Sequence, residues 1–464
     1  MKMADRPNFL FIFDDQHRHD YLGAAGASFL RTPNLDRIAE QGVRFTQAAT
    51  NCPLCAPSRM ALATGLQPVR AGVLANDFGR VPHGVPTFYQ RMRDHGYWTA
   101  SAGKLHLGRT GAPGPKGDPP GAYALGFTHP CECEGKMAAG YQTKPNPTGP
   151  YTHYLHEKGL LEAFIRDYQR RIEAGWAWAN WDSVLPAEDF EDAFIGRKAT
   201  EWIRDVPETH PWMMFVNFVG PHSPFDPPTE YADRYRNTPM PEVVPTVMDG
   251  KPEWVRQRDH GLSPEAVVEA QRQYCGAIEA IDDQVGEMLA ALEERGMMDN
   301  TYIIFSSDHG EMLGDFGLYA KFVAYEGALR VPLMVAGPGI KGGCVADALV
   351  ELIDVNPTIC ELAGLVSQEH IDAQSFVSVL EGRASEHRSE TASVIENFRC
   401  IRTREYKLIH NYNDAFELYD LVNDPQELNN VVDEMPEVFE ELHGRLRERF
   451  FGGRSLPRGM DIRI

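Results

Sequence analysis

The chain has 464 residues, enough for a sizeable core, and carries 45 basic against 66 acidic residues for a formal net charge of -21. That balance argues against a nucleic-acid or anionic-membrane surface, so an anionic substrate has to be drawn in by locally placed positive charge. Eight irregularly spaced cysteines do not make a disulfide framework in a chain this long, and no segment approaches the ~20 apolar residues that span a bilayer. The short apolar run near the N-terminus has no small-residue cleavage site after it, and the whole reads as a cytoplasmic protein.

Phe9-Leu10-Phe11-Ile12-Phe13 is a continuous apolar run, the pattern of a strand buried on both faces of a parallel sheet, and it ends in Asp14-Asp15-Gln16. Thr32 as N-cap and Pro33 at the first helical position predict a helix that Gly42 closes. The stretch from Asn51 to Gly65 follows. Pro57 suits the first turn of a helix and Gly65 its C′ position, which places Cys55 at a helix N-terminus. Unpaired N–H groups and the helix dipole favour an anion there, and Arg59 comes round the first turn with a fixed positive charge. In outline this is an oxyanion-binding nucleophile site.

Further along, a helix over 87–95 and a strand over 97–102 lead to Gly103-Lys104-Leu105-His106. Residues 109–150 are rich in glycine and proline without a clear period and read as long loops over the mouth of a site. Trp176, Trp178 and Trp181 lie in a second irregular stretch and read as packing residues before pocket-lining ones. A helix over 188–204 precedes a buried strand over 212–219 that ends in Gly220-Pro221-His222. An amphipathic helix over 264–295 precedes a strand over 301–305 that ends in Ser307-Asp308-His309. A strand over 332–335 and a helix over 354–362 follow; beyond 371 the pattern changes to short strands and a terminal helix after Pro436. The expected fold class is α/β, a large mostly parallel central sheet flanked by helices over 1–370, with a small C-terminal α+β subdomain over 371–464.

In open α/β sheets ligands bind outside the carboxyl ends of the strands. Asp15 and Gln16, Lys104 and His106, His222, and Asp308 with His309 all follow strands and are expected in one crevice. A zinc site built from Cys52-x-x-Cys55 and Cys131-x-Cys133 is the alternative use of these cysteines, but the second pair is tighter than usual ligand spacing and Pro57-Ser58-Arg59 is left unexplained. His17 and His19 read as neighbours of the crevice and not as ligands.

The order Cys55-x-Pro57-Ser58-Arg59, continued by Ala63-Thr64-Gly65, resembles the signature of the type I sulfatases of the alkaline-phosphatase-like superfamily, and the resemblance covers nearly the whole chain. It implies that Cys55 is converted to formylglycine by a formylglycine-generating enzyme. It implies one divalent metal, calcium or manganese, held by Asp15, Gln16, Asp308, His309 and the modified Cys55. Arg59, Lys104 and Lys321 are implied as sulfate-binding cations, His222 and His106 as the proton-handling pair, and Asn76, in Leu74-Ala75-Asn76, as a substrate-binding residue.

Many sulfatases have asparagine where this chain has His309, which is instead the pattern of phosphonate monoester hydrolases; an imidazole ligand shifts preference from calcium towards manganese. Lys104-x-His106 keeps the sulfatase pair. The leading expectation is a hydrolase of small aryl or alkyl sulfate monoesters. A phosphonate monoester or phosphodiester hydrolase is second, and a catalytically silent anion- or metal-binding protein third. The basic and apolar tail 454–464 reads either as an arm between subunits of a homo-oligomer or as a free end.

Overall fold

The computed structural model describes residues 6–76, 81–82, 84–108, 111–141, 145–175 and 179–452. Trp176, Trp178 and the tail 454–464 lie outside the described residues. The eight strands of the main sheet are β1 (Asn8–Asp15), β2 (Gly42–Ala49), β3 (Trp98–Gly103), β4 (His129–Glu132), β5 (Trp212–Pro221), β6 (Thr301–Ser307), β7 (Leu333–Ala336) and β8 (Cys344–Glu351). They lie in the order β4-β3-β5-β1-β6-β7-β2-β8. Neighbours are parallel except at β7, which runs antiparallel to both β6 and β2.

The apolar run of β1 is explained by this order, since β1 lies between β5 and β6 with helices on both faces. Leu10 and Ile12 join a core with Leu35 and Ile38 of α1 (Pro33–Gln41) on one face. Phe9, Phe11 and Phe13 join a second core with Leu62 and Ala63 of α2 (Cys55–Thr64) on the other. Four more helices matter for the site: α3 (Lys136–Gly140), α4 (Leu161–Glu173), α5 (Glu191–Asp205) and α6 (Pro264–Glu294). Phe194 and Ile195 of α5 and Ile281, Val285 and Met288 of α6 complete the first core. No helix among the described residues is long and apolar enough to cross a membrane.

Three local expectations are corrected. The stretch 109–150 is not all loop: it contains β4, α3 and a helix over Pro120–Leu125. Strand β4 escapes sequence reading because it has four residues and a proline, which an edge strand paired only to β3 tolerates. Strand β8, at the other edge, escapes it too; its first half alternates between half-buried and exposed positions and carries no continuous apolar signal. Thr32 does not cap α1. Its hydroxyl donates to Asp36 at 3.0 Å. The free N–H groups of Asn34 and Leu35 are met by Asp282 of α6, at 3.1 and 2.8 Å.

Burial lifts the Asp282 carboxyl to about 7 against the pull of those N–H donors. An acid whose folded value lies above its unfolded one takes up a proton on folding, so its contribution is fully present below ~3.9 and is lost as pH rises through about 7. Thermal unfolding of Asp282→Asn across that window is expected to show a flatter dependence on pH than the parent; an unchanged slope would count against a buried, proton-binding Asp282.

The second sheet is antiparallel, from β9 (Thr391–Val394), β10 (Phe398–Arg402), β11 (Tyr406–Asn411) and β12 (Phe416–Asp420), and α7 (Pro436–Phe451) covers one face through Leu442 and Leu446. The other face presents Cys400, Ile409 and Tyr419 to Cys52, Leu54, Phe316 and Tyr325. This sheet therefore backs both the turn that enters α2 and the segment that carries Lys321. Arg402 and Lys407 also ion-pair with Glu326 from below, at 2.8 and 2.7 Å.

Candidate active site

Leu54 is extended and Cys55 begins α2, as the motif predicts, while Gly65 ends it with a left-handed φ of 71°. The second N–H of the helix, from Ala56, donates to the side-chain oxygen of Asn76 at 2.9 Å. The hydroxyls of Ser58 and Thr50 both donate to the carbonyl of Asp308 at 2.7 Å, which locks the helix start against the end of β6. Cys55 thus stands on a rigid element beside the strand ends, with its Sγ 3.2 Å from His309 Nε2 and 3.7 Å from Asp15 Oδ1.

Arg59 is 2 % exposed and bonds through all three guanidinium nitrogens, with one N–H of the terminal nitrogen nearest Asp15 left over. Nε donates to Asp308 at 2.8 Å, one terminal nitrogen to Asp15 at 3.2 Å, and the other to Asn217 Oδ1 at 3.1 Å and the Lys104 carbonyl at 2.8 Å. Lys104 leaves β3 just after Gly103, whose φ of 101° and approach to β5 admit no side chain: a Cβ would lie 1.9 Å from the Asn217 carbonyl. Its ammonium reaches Asp15. Lys321 donates to His222 Nε2 at 2.7 Å and to the Gln16 side-chain oxygen. Gln16 and His106 have left-handed backbones, φ 75° and 52°, and such strain persists where surrounding packing over-determines it.

These groups tune one another. Burial and the Cys55 sulfur push the Asp15 carboxyl up, but Lys104, His222 and Arg59 outweigh them and hold it well below the usual carboxylate range. Burial also opposes ionisation of Cys55, yet Lys104, Lys321, His309 and a hydrogen bond with His106 hold the thiol well below its ordinary value. Burial lowers His106, and burial with Lys321 lowers His222.

Asp15, Cys55, Asp308 and His309 are all buried and offer four donor atoms within 4.8 Å of one another. His309 Nδ1 is 2.9 Å from the Gly310 carbonyl, so the proton belongs on Nδ1 and the Nε2 lone pair faces the cluster. Two carboxylates and an imidazole nitrogen suit a divalent cation. Gln16 lies at the rim of the cluster, its amide shared between Lys321 and Glu311 and its own N–H bonded to Asp308 Oδ1 at 3.1 Å. Cys52, Cys131 and Cys133 do not join a metal grouping among the described residues. Both ring nitrogens of His17 are engaged, by Asp14 and by the Tyr21 carbonyl, each at 2.7 Å. Trp181 stacks on Arg171 at 4.6 Å and donates to Asp167, a packing role.

Above this floor opens a cavity of about 760 Å³ whose wall includes Cys55, Asn76, Lys104, His106 and His222. The residues that the sulfatase resemblance implied for the site therefore converge at one end of the sheet. Several that it did not imply are equally engaged. Asn217 is the polar interruption in the apolar run of β5, a signal that was legible. Glu311 is buried and accepts from Gln16, from Leu313 N–H at 3.0 Å and from Ala320 N–H, and so holds the Lys321 segment. Glu132, Glu134 and Lys136 line the cavity from the end of β4 and could not be placed without that strand.

A buried cysteine at a helix head beside four possible metal donors, with fixed positive charges and imidazoles around it, suits the hydrolysis of tetrahedral oxyanion esters. The chain belongs to the sulfatase family: the Sulfatase family profile matches residues 7–365, and that of N-sulphoglucosamine sulphohydrolase, C-terminal, matches 314–451. It is a sulfuric ester hydrolase with an alkaline-phosphatase-like fold. An arylsulfatase of Clostridium perfringens is 28 % identical, covering 98 % of both chains. A choline-sulfatase of Rhizobium meliloti is 30 % identical over 92 % of this chain and 83 % of its own. The phosphonate monoester hydrolase of Agrobacterium radiobacter superposes with a TM-score of 0.81 at 25 % identity, covering 96 % of each chain.

Proposed function

We propose that the enzyme hydrolyses small aryl or alkyl sulfate monoesters through formylglycine made from Cys55 by a formylglycine-generating enzyme, with one divalent metal ion. The observation that carries the reading is the placement of Cys55: first residue of α2, beside His309 and Asp15, at the floor of a cavity ringed by Lys104, His106 and His222. The arylsulfatase and choline-sulfatase relatives support a small leaving group.

Asp15, Asp308, His309 and the modified Cys55 would hold the metal, with the Gln16 amide oxygen beside them; the ion supplies Lewis acidity at the nucleophile and neutralises charge on the sulfuryl group. The aldehyde hydrate supplies one hydroxyl to attack sulfur and a second whose deprotonation releases sulfate. Arg59, Lys104 and Lys321 bind the sulfuryl oxygens, and Asn76 holds the helix start and edges the cavity. To act as the acid, His222 must take up a second proton, on Nε2, beside the anionic ester, with Lys321 turned to the sulfuryl oxygens; it then gives that proton to the departing ester oxygen as its bond to sulfur breaks. His106 takes the proton of the second hydroxyl. The sheet beyond residue 371 serves as a C-terminal subdomain that supports this floor.

The test is a comparison of kcat/KM on nitrophenyl sulfate and on a phenyl phosphonate monoester, with protein coexpressed with the maturation enzyme. The sulfate is expected to be the better substrate. The second reading, a phosphonate monoester or phosphodiester hydrolase, is favoured by His309 and by the Agrobacterium neighbour, and a preference for the phosphonate would establish it over the first. For the metal, protein stripped with a chelator is expected to lose activity and to regain about 2.7 kcal/mol of stability at a cation concentration 100 times Kd. Asp308→Ala should abolish that cation-dependent rise in Tm. A rise of the same size in the variant would remove Asp308 from the metal set.

A further inference from the structure

Lys136, the first residue of α3, is a cation in the wall of the active-site cavity, yet its side chain is only 2 % exposed. Its ammonium makes three hydrogen bonds, all to the loop that follows β5: to the His222 carbonyl at 3.0 Å, the Pro224 carbonyl at 3.0 Å and Asp226 Oδ1 at 2.6 Å. An ammonium has three protons, so none remains for a substrate oxygen. The other oxygen of Asp226 accepts from the Tyr168 hydroxyl of α4 at 3.0 Å, and Asp226 is itself 1 % exposed. Tyr168 is seated against Gly140, at the far end of α3, where any Cβ would meet its ring at 1.7 Å. The bonds tie α3, α4 and the His222 loop into one buried unit.

Between the two carbonyls that Lys136 gathers lies that of Ser223, which is 2.6 Å from His222 Nδ1. The ring is thereby anchored through Nδ1 to a loop whose flanking carbonyls are pinned to one cation, and Nε2 is the nitrogen aimed at Lys321 and the reaction centre. We infer that Lys136 is a positioning residue for His222: it sets the loop conformation from which the imidazole delivers its proton to the leaving group. The inference rests on the proposed role of His222. A proton donor misplaced by about 1 Å loses its effect on catalysis while the nucleophile and sulfate-binding groups keep theirs.

That difference supplies the readout. A series of aryl and alkyl sulfates of rising leaving-group basicity is compared in the mature enzyme and in His222→Ala, Lys136→Met and the double variant. Loss of proton donation costs ~10²–10⁴-fold in general, and it falls on basic leaving groups, because nitrophenolate departs without a proton. Lys136→Met is expected to lose ~10–10²-fold on the most basic leaving groups and only a few-fold on nitrophenyl sulfate, in kcat more than in KM. The double variant should be no slower than His222→Ala alone, as for residues that act as one unit. Asp226→Asn, which keeps the shape of the buried unit, should show the same selective loss to a smaller degree if Lys136→Met folds poorly.

If His222→Ala is selective for basic leaving groups and neither Lys136→Met nor Asp226→Asn is, the positioning role falls and the general-acid role stands. A loss in Lys136→Met by one factor across the series, multiplying with that of His222→Ala, also overturns it. If His222→Ala itself acts uniformly, the general-acid assignment falls and the positioning role with it.

Discussion

Cys55→Ser is expected to lower steady-state turnover by on the order of 10³-fold or more and to trap the enzyme as a sulfated serine. Serine at the start of α2 keeps one hydroxyl for attack on sulfur, and Arg59, Lys104 and Lys321 still bind the sulfuryl oxygens. The second hydroxyl is missing, so His106 has no proton to take and the ester can leave only by a fresh attack of water on sulfur. One equivalent of phenol should appear in a burst, and the peptide carrying residue 55 should gain the mass of one sulfuryl group. Turnover like that of the parent, with no mass gain, would rule out formylglycine chemistry at this position. The parent peptide, made with the maturation enzyme, should show the loss of mass that converts a cysteine thiol to an aldehyde.

The second large effect is expected at Arg59. Its guanidinium is buried between Asp15 and Asp308, both 0 % exposed, and is tied as well to Asn217 and to the Lys104 carbonyl. Arg59→Met is expected to cost about 3–5 kcal/mol of stability, because two buried carboxylates lose a shared partner. It should also lower kcat/KM by ~10²–10³-fold, the scale for removing one charge-stabilising donor from an oxyanion site. The stability deficit should shrink when a divalent cation is added, since that ion neutralises the same two carboxylates; kcat/KM should not recover. Denaturant unfolding of parent and variant, with and without cation, measures this. Equal deficits in both conditions would mean that Arg59 and the cation do not share Asp15 and Asp308.

Strand ends were the most legible part of the chain. Three of the strands that carry the site, β1, β5 and β6, are mainly apolar runs, β5 interrupted by Asn217, because a central strand covered on both faces has no solvent side to mark with polar residues. The polar residues after each run then stand out, Asp15, His222 and Asp308 among them. The edge strands β4 and β8 lack that signal, and with β4 went Glu132, Glu134 and Lys136. Lys136 was further hidden by its type, since a lysine in a glycine-rich stretch reads as solvated; only the carbonyls of His222 and Pro224 and the carboxylate of Asp226 give its burial a reason.

By itself the sequence determined the α/β class, the place of Cys55 at the head of its helix, and the polar residues Asp15, Lys104, His222 and Asp308 past their strands, because periodicity, caps and strand ends are local properties of the chain. Only the tertiary structure decided how those groups are shared: that Arg59 bridges Asp15 and Asp308, that Gln16 is divided between Lys321 and Glu311, and that α1 is capped from α6 by Asp282. Each of these arrangements includes a contact between residues more than 200 positions apart, and its existence depends on strand order, register and helix placement, which the pattern of apolar and polar residues along one chain does not encode.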